Sequence, residues 1–121
     1  MSCVSPYSYN TGLDSCLYLS AEEDKDTWEE ADQFCQDIAG HLVVAETGSQ
    51  QLALGALIGS NIGDYWVGAS WDSNIGYYVW FSGFVMKTAT PLTEGCLKID
   101  DTGVFSVGDC GNDFKFVCES I

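Results

Sequence analysis

The chain has 121 residues, 46% of them hydrophobic, which suits one domain over residues 1–121 and leaves no room for a second. Eighteen acidic residues stand against four lysines (Lys25, Lys87, Lys98 and Lys115), with no arginine, for a formal charge of -14. That balance excludes nucleic acid, heparin-like sugars and anionic membranes, which need a basic patch, but permits cationic partners, calcium or mineral surfaces.

In chain order, residues 3–19 begin with a turn-rich stretch (Pro6, Asn10, Gly12) between Cys3 and Cys16. Tyr7, Tyr9, Leu17 and Leu19 flank it and predict a short hairpin. Asp26 and Thr27 then precede a helical pattern in which Trp28, Ala31, Phe34, Cys35 and Ile38 share one face. Glu29, Glu30 and Asp32 sit in its first turns, where the helix dipole favours them, and Gly40 is placed to end it. A short extended run, Leu42 to Ala45, leads to a second helix, capped by Ser49 and ended by Gly59. Leu52, Leu54, Ala56, Leu57 and Ile58 give that helix a broad apolar surface.

Beyond it the pattern changes to strands. Residues 65–69, 77–81, 96–99 and 114–118 are rich in aromatic and β-branched side chains. Asp100-Asp101-Thr102-Gly103 reads as a hairpin turn. Helices first and strands later predict an α+β domain, with two helices packed on antiparallel sheets.

The longest apolar run, Ala53 to Ile58, is far short of a membrane span, so no membrane insertion is expected. Met1-Ser2-Cys3 lacks a signal-peptide pattern and reads as a start placed before a mature secreted domain. No Asn-x-Ser/Thr acceptor is present. Six cysteines (Cys3, Cys16, Cys35, Cys96, Cys110 and Cys118) at wide spacings imply three disulfides in an extracellular, oxidising setting. Spacing alone does not choose among their pairings.

Several segments together resemble the C-type lectin-like family in its long form, which has an N-terminal hairpin closed by a disulfide. Cys16-Leu17-Tyr18-Leu19-Ser20, followed by Trp28, Ala31 and Cys35, is similar to the family's opening pattern. Trp66-Val67-Gly68-Ala69 resembles its Trp-Ile-Gly-Leu motif, and Trp80 with Gly83 its next Trp…Gly element. The gaps from Cys96 to Cys110 and from Cys110 to Cys118 also look like the family's. The resemblance covers essentially the whole chain and implies the pairs Cys3–Cys16, Cys35–Cys118 and Cys96–Cys110. Closing the long Cys35–Cys118 loop would contribute about 4–5 kcal/mol by chain entropy, and each short loop about 3 kcal/mol.

The resemblance also implies a test for calcium. Sugar-binding members hold calcium with a Glu-Pro-Asn or Gln-Pro-Asp motif, a glutamate before a cysteine, and a Trp-Asn-Asp motif. Here those positions align with Thr90-Pro91-Leu92, Glu94 and Phe105-Ser106-Val107. Only Glu94 keeps a carboxylate, too little for an ion that takes 6–8 oxygens. The segment that would carry the site, residues 84–95, is also shorter than in sugar-binding relatives. No cofactor is expected, and calcium is not expected at the usual sugar site.

Glu119 aligns with a structural calcium ligand of some relatives, but its usual glutamate partner would fall near Ser49 or Gln50. Glu94 and Glu119 are thus the two weak metal candidates. The acidic run Glu22-Glu23-Asp24 with Asp26 reads as a solvated loop before the helix. Trp28, Trp66 and Trp80 match core positions. Trp71 lies in the polar stretch Ser70-Trp71-Asp72-Ser73-Asn74, where it either stacks on a ligand or closes a small local core. Trp71, Asp72, Asn74, Thr90 and Glu94 are the candidate ligand-binding residues. With His41 as the only histidine, no triad or zinc site can be written, and His41 reads as structural.

The expectation is therefore a non-enzymatic extracellular recognition module that binds a protein or glycan, uses the loop face around residues 70–76 and 84–95, and lacks the calcium-bridged sugar site. The alternatives are a lectin with a nonstandard site, centred on Trp71, or an acidic binder of mineral or ice. Thr88, Thr90 and Thr93 give the ice reading slight support.

Overall fold

The computed structural model describes residues 3–21, 23–59, 61, 63–86 and 93–121. Strands β1 (Ser8–Asn10) and β2 (Ser15–Leu19) form the expected antiparallel hairpin. Asn10 Oδ1 accepts from the Leu13 amide at 3.0 Å, and Asp14 turns the chain with a φ of 50°. The Cys3–Cys16 disulfide closes it, with the Cα atoms 5.8 Å apart.

Helix α1 (Trp28–Asp37) starts on a capping box: the Thr27 hydroxyl accepts from the Glu30 amide, and the Glu30 carboxylate accepts from the Thr27 amide. The sequence places Gly40 at its end, but Ala39 takes the left-handed conformation, with a φ of 61°. Gly40 instead opens β3 (Gly40–Leu42). It is needed there because a Cβ would overlap both the Tyr7 hydroxyl and the Glu119 carbonyl. Of the extended run expected at Leu42–Ala45, only Leu42 lies in a strand, although the Val43 amide still donates to Val117 O at 3.0 Å.

Helix α2 (Gly48–Ile58) is capped by Thr47 rather than Ser49, in a second capping box with Gln50. Gly59 ends it as expected, with a φ of 50°. Leu54 and Ile58 are fully buried, whereas Leu52 and Ala56 face outward, so the apolar surface is narrower than the sequence suggests. Gly55 lets the 102–103 backbone pack directly on the helix, where the Gln51 amide donates to Gly103 O at 2.7 Å.

The remaining strands are β4 (Tyr65–Asp72), β5 (Tyr77–Trp80), β6 (Val85–Met86), β7 (Cys96–Ile99), β8 (Phe105–Gly108) and β9 (Lys115–Ser120). The main path runs β1-β2-β9-β4-β5-β6, with β3 also on β9, and β7 and β8 continuing from β4. The pairings are antiparallel except β4 with β9, which is parallel at Tyr65–Lys115 and Trp66–Phe116. Two helices on a mixed sheet with three disulfides is the α+β arrangement expected. The short strands β6 and β8 have no counterpart in the sequence reading.

The 100–103 segment is the expected turn: Asp100 Oδ1 accepts from the Thr102 amide, the Thr102 hydroxyl and the Val104 amide. These bonds, the Thr102 hydroxyl foremost, hold the Asp100 carboxyl below its usual range. Trp66 and Trp80 are buried, and Trp28 packs half-buried beside them. Trp66 Nε1 donates to Asp26 O at 2.9 Å, and Trp28 Nε1 to Val67 O at 3.0 Å. Cys35–Cys118 ties α1 to β9, and Cys96–Cys110 ties the start of β7 to the loop after β8. Among the described residues no helix is long and apolar enough to cross a membrane.

Candidate functional site

The register of β4, β5 and β6 sorts the candidate face into two sides. Ala69 and Trp71 pair with Trp80 and Tyr78 and point to the core, as does Met86 opposite Tyr78. Ser70 and Asp72 pair with Val79 and Tyr77, and Val85 pairs with Val79, all on the outer side. Trp71 therefore belongs to a strand, not to a polar loop. It is half-buried and meets the Tyr78 ring edge-on, with centroids 5.2 Å apart, which makes it a local core residue. Asp72 Oδ1 accepts from the Asn74 amide at 2.9 Å and so shapes its own turn, leaving Asn74 exposed.

The outer side is apolar. Tyr77 and Val85 on that side are 38 and 40% exposed, Phe81 and Phe84 of the β5–β6 turn are 39 and 64% exposed, and Ile75 of the β4–β5 turn is exposed as well. Large apolar side chains exposed together along one hairpin and its turns are uncommon without a role.

Behind it, the Tyr78 hydroxyl donates to Thr93 O at 3.1 Å. Burial, with the Glu94 charge adding to it, pushes the Tyr78 pKa up to about 12. Glu94 itself is exposed, beside Asp109 on an open rim. On β7 and β8, Lys98 Nζ lies 2.6 Å from Asp64 Oδ2 and 3.0 Å from the Ser106 hydroxyl, above the Phe114 ring. Phe105 packs against Trp80, and Val107 joins the core margin.

A second concave region of about 420 Å³ lies between the residues after β3, the β5–β6 turn and the end of β9. Its walls include His41, Glu46, Gln50, Phe81, Ser82 and Glu119. The Ser82 hydroxyl donates to Glu46 Oε2 at 2.6 Å. Glu119 accepts from the Ser15 hydroxyl at 2.5 Å and from the Val44 amide at 3.2 Å, with His41 Nε2 at 3.9 Å. Sequence reasoning singled out Glu119 but missed Glu46, Phe81 and Ser82. The only signal for them was Glu46 directly after the apolar run that ends at Ala45.

The sequence profile of the C-type lectin domain matches residues 24–120. The chain belongs to the C-type lectin domain family. It is similar to mouse lithostathine-2, 29% identical over 119 residues, covering 86% of this chain and 68% of the relative. Its fold matches SPL-1, solved as a complex with GlcNAc, with a TM-score of 0.80, 23% identity and coverage of 98% and 94%. It also matches a calcium-independent type II antifreeze protein, with a TM-score of 0.77, 19% identity and coverage of 98% and 94%. At such identities the structural likeness speaks for the fold alone.

The family implies calcium, and the described donors of this C-type lectin domain do not fit it. The Ser106 hydroxyl is taken by the Lys98 ammonium, a positive charge that would repel a divalent cation. Val107, which lines the same open rim as Glu94, has no side-chain oxygen to offer. Thr90, with Pro91 and Leu92, lies outside the described residues. At the other implied position, Glu119 accepts from Ser15 and Val44, and its usual glutamate partner is replaced by Ser49 or Gln50, so a second carboxylate for the ion is missing there. Among the described residues no three His, Cys, Asp or Glu side chains converge to hold a metal ion.

Proposed function

We propose that this chain is a non-enzymatic, secreted recognition module that binds a protein through the outer face of β4, β5 and β6, without a calcium-bridged sugar site. The observation that carries this reading is the set of exposed apolar side chains on this hairpin, Tyr77 and Val85 on the outer side and Phe81 and Phe84 in the adjoining turn, with Asp72 paired opposite Tyr77 and Asn74 in the turn between them. Large apolar anchors inside a polar rim are the usual makings of a protein interface. Family membership supports a binding module rather than a catalyst. The half-burial of Trp71 counts against a nonstandard sugar site centred on that ring. Of the threonines behind the ice reading, Thr88 and Thr90 lie outside the described residues.

The test is a screen of the chain against a glycan array and an array of extracellular protein domains, each in calcium and in chelator. Protein hits that survive chelator and are lost in Phe84→Asp are expected. Calcium-dependent glycan hits with no protein hit would overturn the reading.

A further inference from the structure

The groove walled by His41, Glu46, Phe81, Ser82 and Glu119 lies beside the proposed protein-binding face and shares Phe81 with it. We propose that it takes the protonated amine or guanidinium of a lysine or arginine side chain on a protein partner. Its volume of about 420 Å³ falls in the range of small-ligand sites and exceeds what one such side chain needs.

The charge pattern selects the ligand. Glu119 is 85% removed from solvent as a side chain, yet its short bonds come from neutral donors, the Ser15 hydroxyl and the Val44 amide. The nearby His41 Nε2, at 3.9 Å from Glu119, is too far for a direct hydrogen bond, so the carboxylate still attracts a positive charge. Glu46 adds a second carboxylate, held in place by Ser82. None of the described lysines lines the groove: Lys98 is engaged by Asp64, and Lys115 lies over the Tyr65 ring. An anion would be repelled here, and a neutral apolar group would desolvate two carboxylates without return.

Phe81 adds a feature that a carboxylate pair alone lacks. Edge contacts with Trp28 and His41, at 5.9 and 6.2 Å between centroids, fix its ring, and the ring remains 39% exposed. A fixed aromatic face beside carboxylates favours an organic cation over a metal ion, since the ring attracts a weakly hydrated charge. The formal charge of -14 would also speed the approach of a basic partner. Assigning the cation to a protein rather than to a free amine rests on the apolar face already proposed, because Phe81 and Phe84 leave the same turn.

The experiment is a two-dimensional amide NMR titration of the whole chain. The probes are the blocked amino acids N-acetyl-lysine methylamide and N-acetyl-arginine methylamide, with the norleucine analogue and calcium chloride run separately. The basic probes should shift the amides of His41, Glu46, Phe81 and Ser82 with saturation at about millimolar concentration. Affinity should fall about three- to tenfold in Glu46→Gln and in Phe81→Leu, which keep bulk at exposed sites, and should weaken with salt. Equal shifts from norleucine, no saturable shift from either basic probe, or calcium moving the same amides would each overturn the proposal. Protein hits lost in Phe84→Asp alongside a failed amine titration would sink the groove and leave the binding face standing. The reverse pattern would sink the face and leave a groove for basic side chains.

Discussion

The Ser15 hydroxyl donates to Glu119 Oε2 at 2.5 Å across 104 residues of chain, tying the N-terminal hairpin to the last strand. The second oxygen of the same carboxylate holds the Val44 amide, so one side chain joins β2, β9 and the segment after β3.

Removing that junction should destabilise the fold whether or not calcium is present. Glu119→Ala leaves a half-buried amide and hydroxyl without their acceptor, at a cost of about 1.5–3 kcal/mol in urea unfolding. The wild-type melting temperature should be the same in calcium and in chelator. A calcium-dependent rise that Glu119→Ala abolishes would show that the carboxylate serves a metal instead.

Gly40→Ala should be among the most damaging small substitutions. The new methyl meets the Tyr7 hydroxyl on one side and the Glu119 carbonyl on the other, and only the first can be relieved by a second change. We expect a loss of about 2–3 kcal/mol, partly recovered in Gly40→Ala with Tyr7→Phe. Removing the Tyr7 hydroxyl alone should cost little, because it is buried without a hydrogen-bond partner. Chemical denaturation of the three variants checks both statements.

Trp71→Ala should act on stability. The ring packs on Tyr78 from the core side of β4, so its loss opens a cavity worth about 1.5–3 kcal/mol. Partner binding measured below the melting transition should be nearly unchanged. A variant of normal stability with lost binding would instead mark Trp71 as a contact residue.

Tyrosine ionisation should be heterogeneous. Tyr78 should stay protonated until about pH 12, and ultraviolet difference titration should show it as a late step missing in Tyr78→Phe. Its folded pKa lies above its unfolded value. Its contribution to stability is therefore full below about pH 10 and is lost as the pH rises toward 12.

Asp26 should behave in the same sense at the acid end. Burial, then repulsion from Glu30, Asp113 and Asp24, raises its carboxyl pKa, so its ionised form is disfavoured in the fold. The stability it contributes is full below the unfolded pKa and is lost as the pH rises through the folded one. Asp26→Asn should therefore melt at a higher temperature than wild type at pH 7, with the difference shrinking as the pH falls below about 4. Thermal melts across that interval check the sign.

The sequence by itself determined the two helices, the hairpin and the long strands, and its motifs resembled those of the family, a resemblance that in turn implied the three cysteine pairs. The helices, hairpin and strands come from local periodicity and turn chemistry, whereas the cysteine pairs came only from the resemblance. It also placed Trp66 and Trp80 in the core, because their motifs carry that position with them. The tertiary structure decided what depends on register and on distant neighbours. Strand β4 runs three residues past Ala69, and its pleat turns Trp71 inward while Ser70 and Asp72 face out. Gly40 is held by contacts from Tyr7 and Glu119 at opposite ends of the sequence, and no local rule reports such crowding. The same holds for Lys98 over Ser106, and for the meeting of Glu46, Phe81 and Glu119 in one groove. Charge compensation and concavity arise only when strands far apart in sequence are brought side by side.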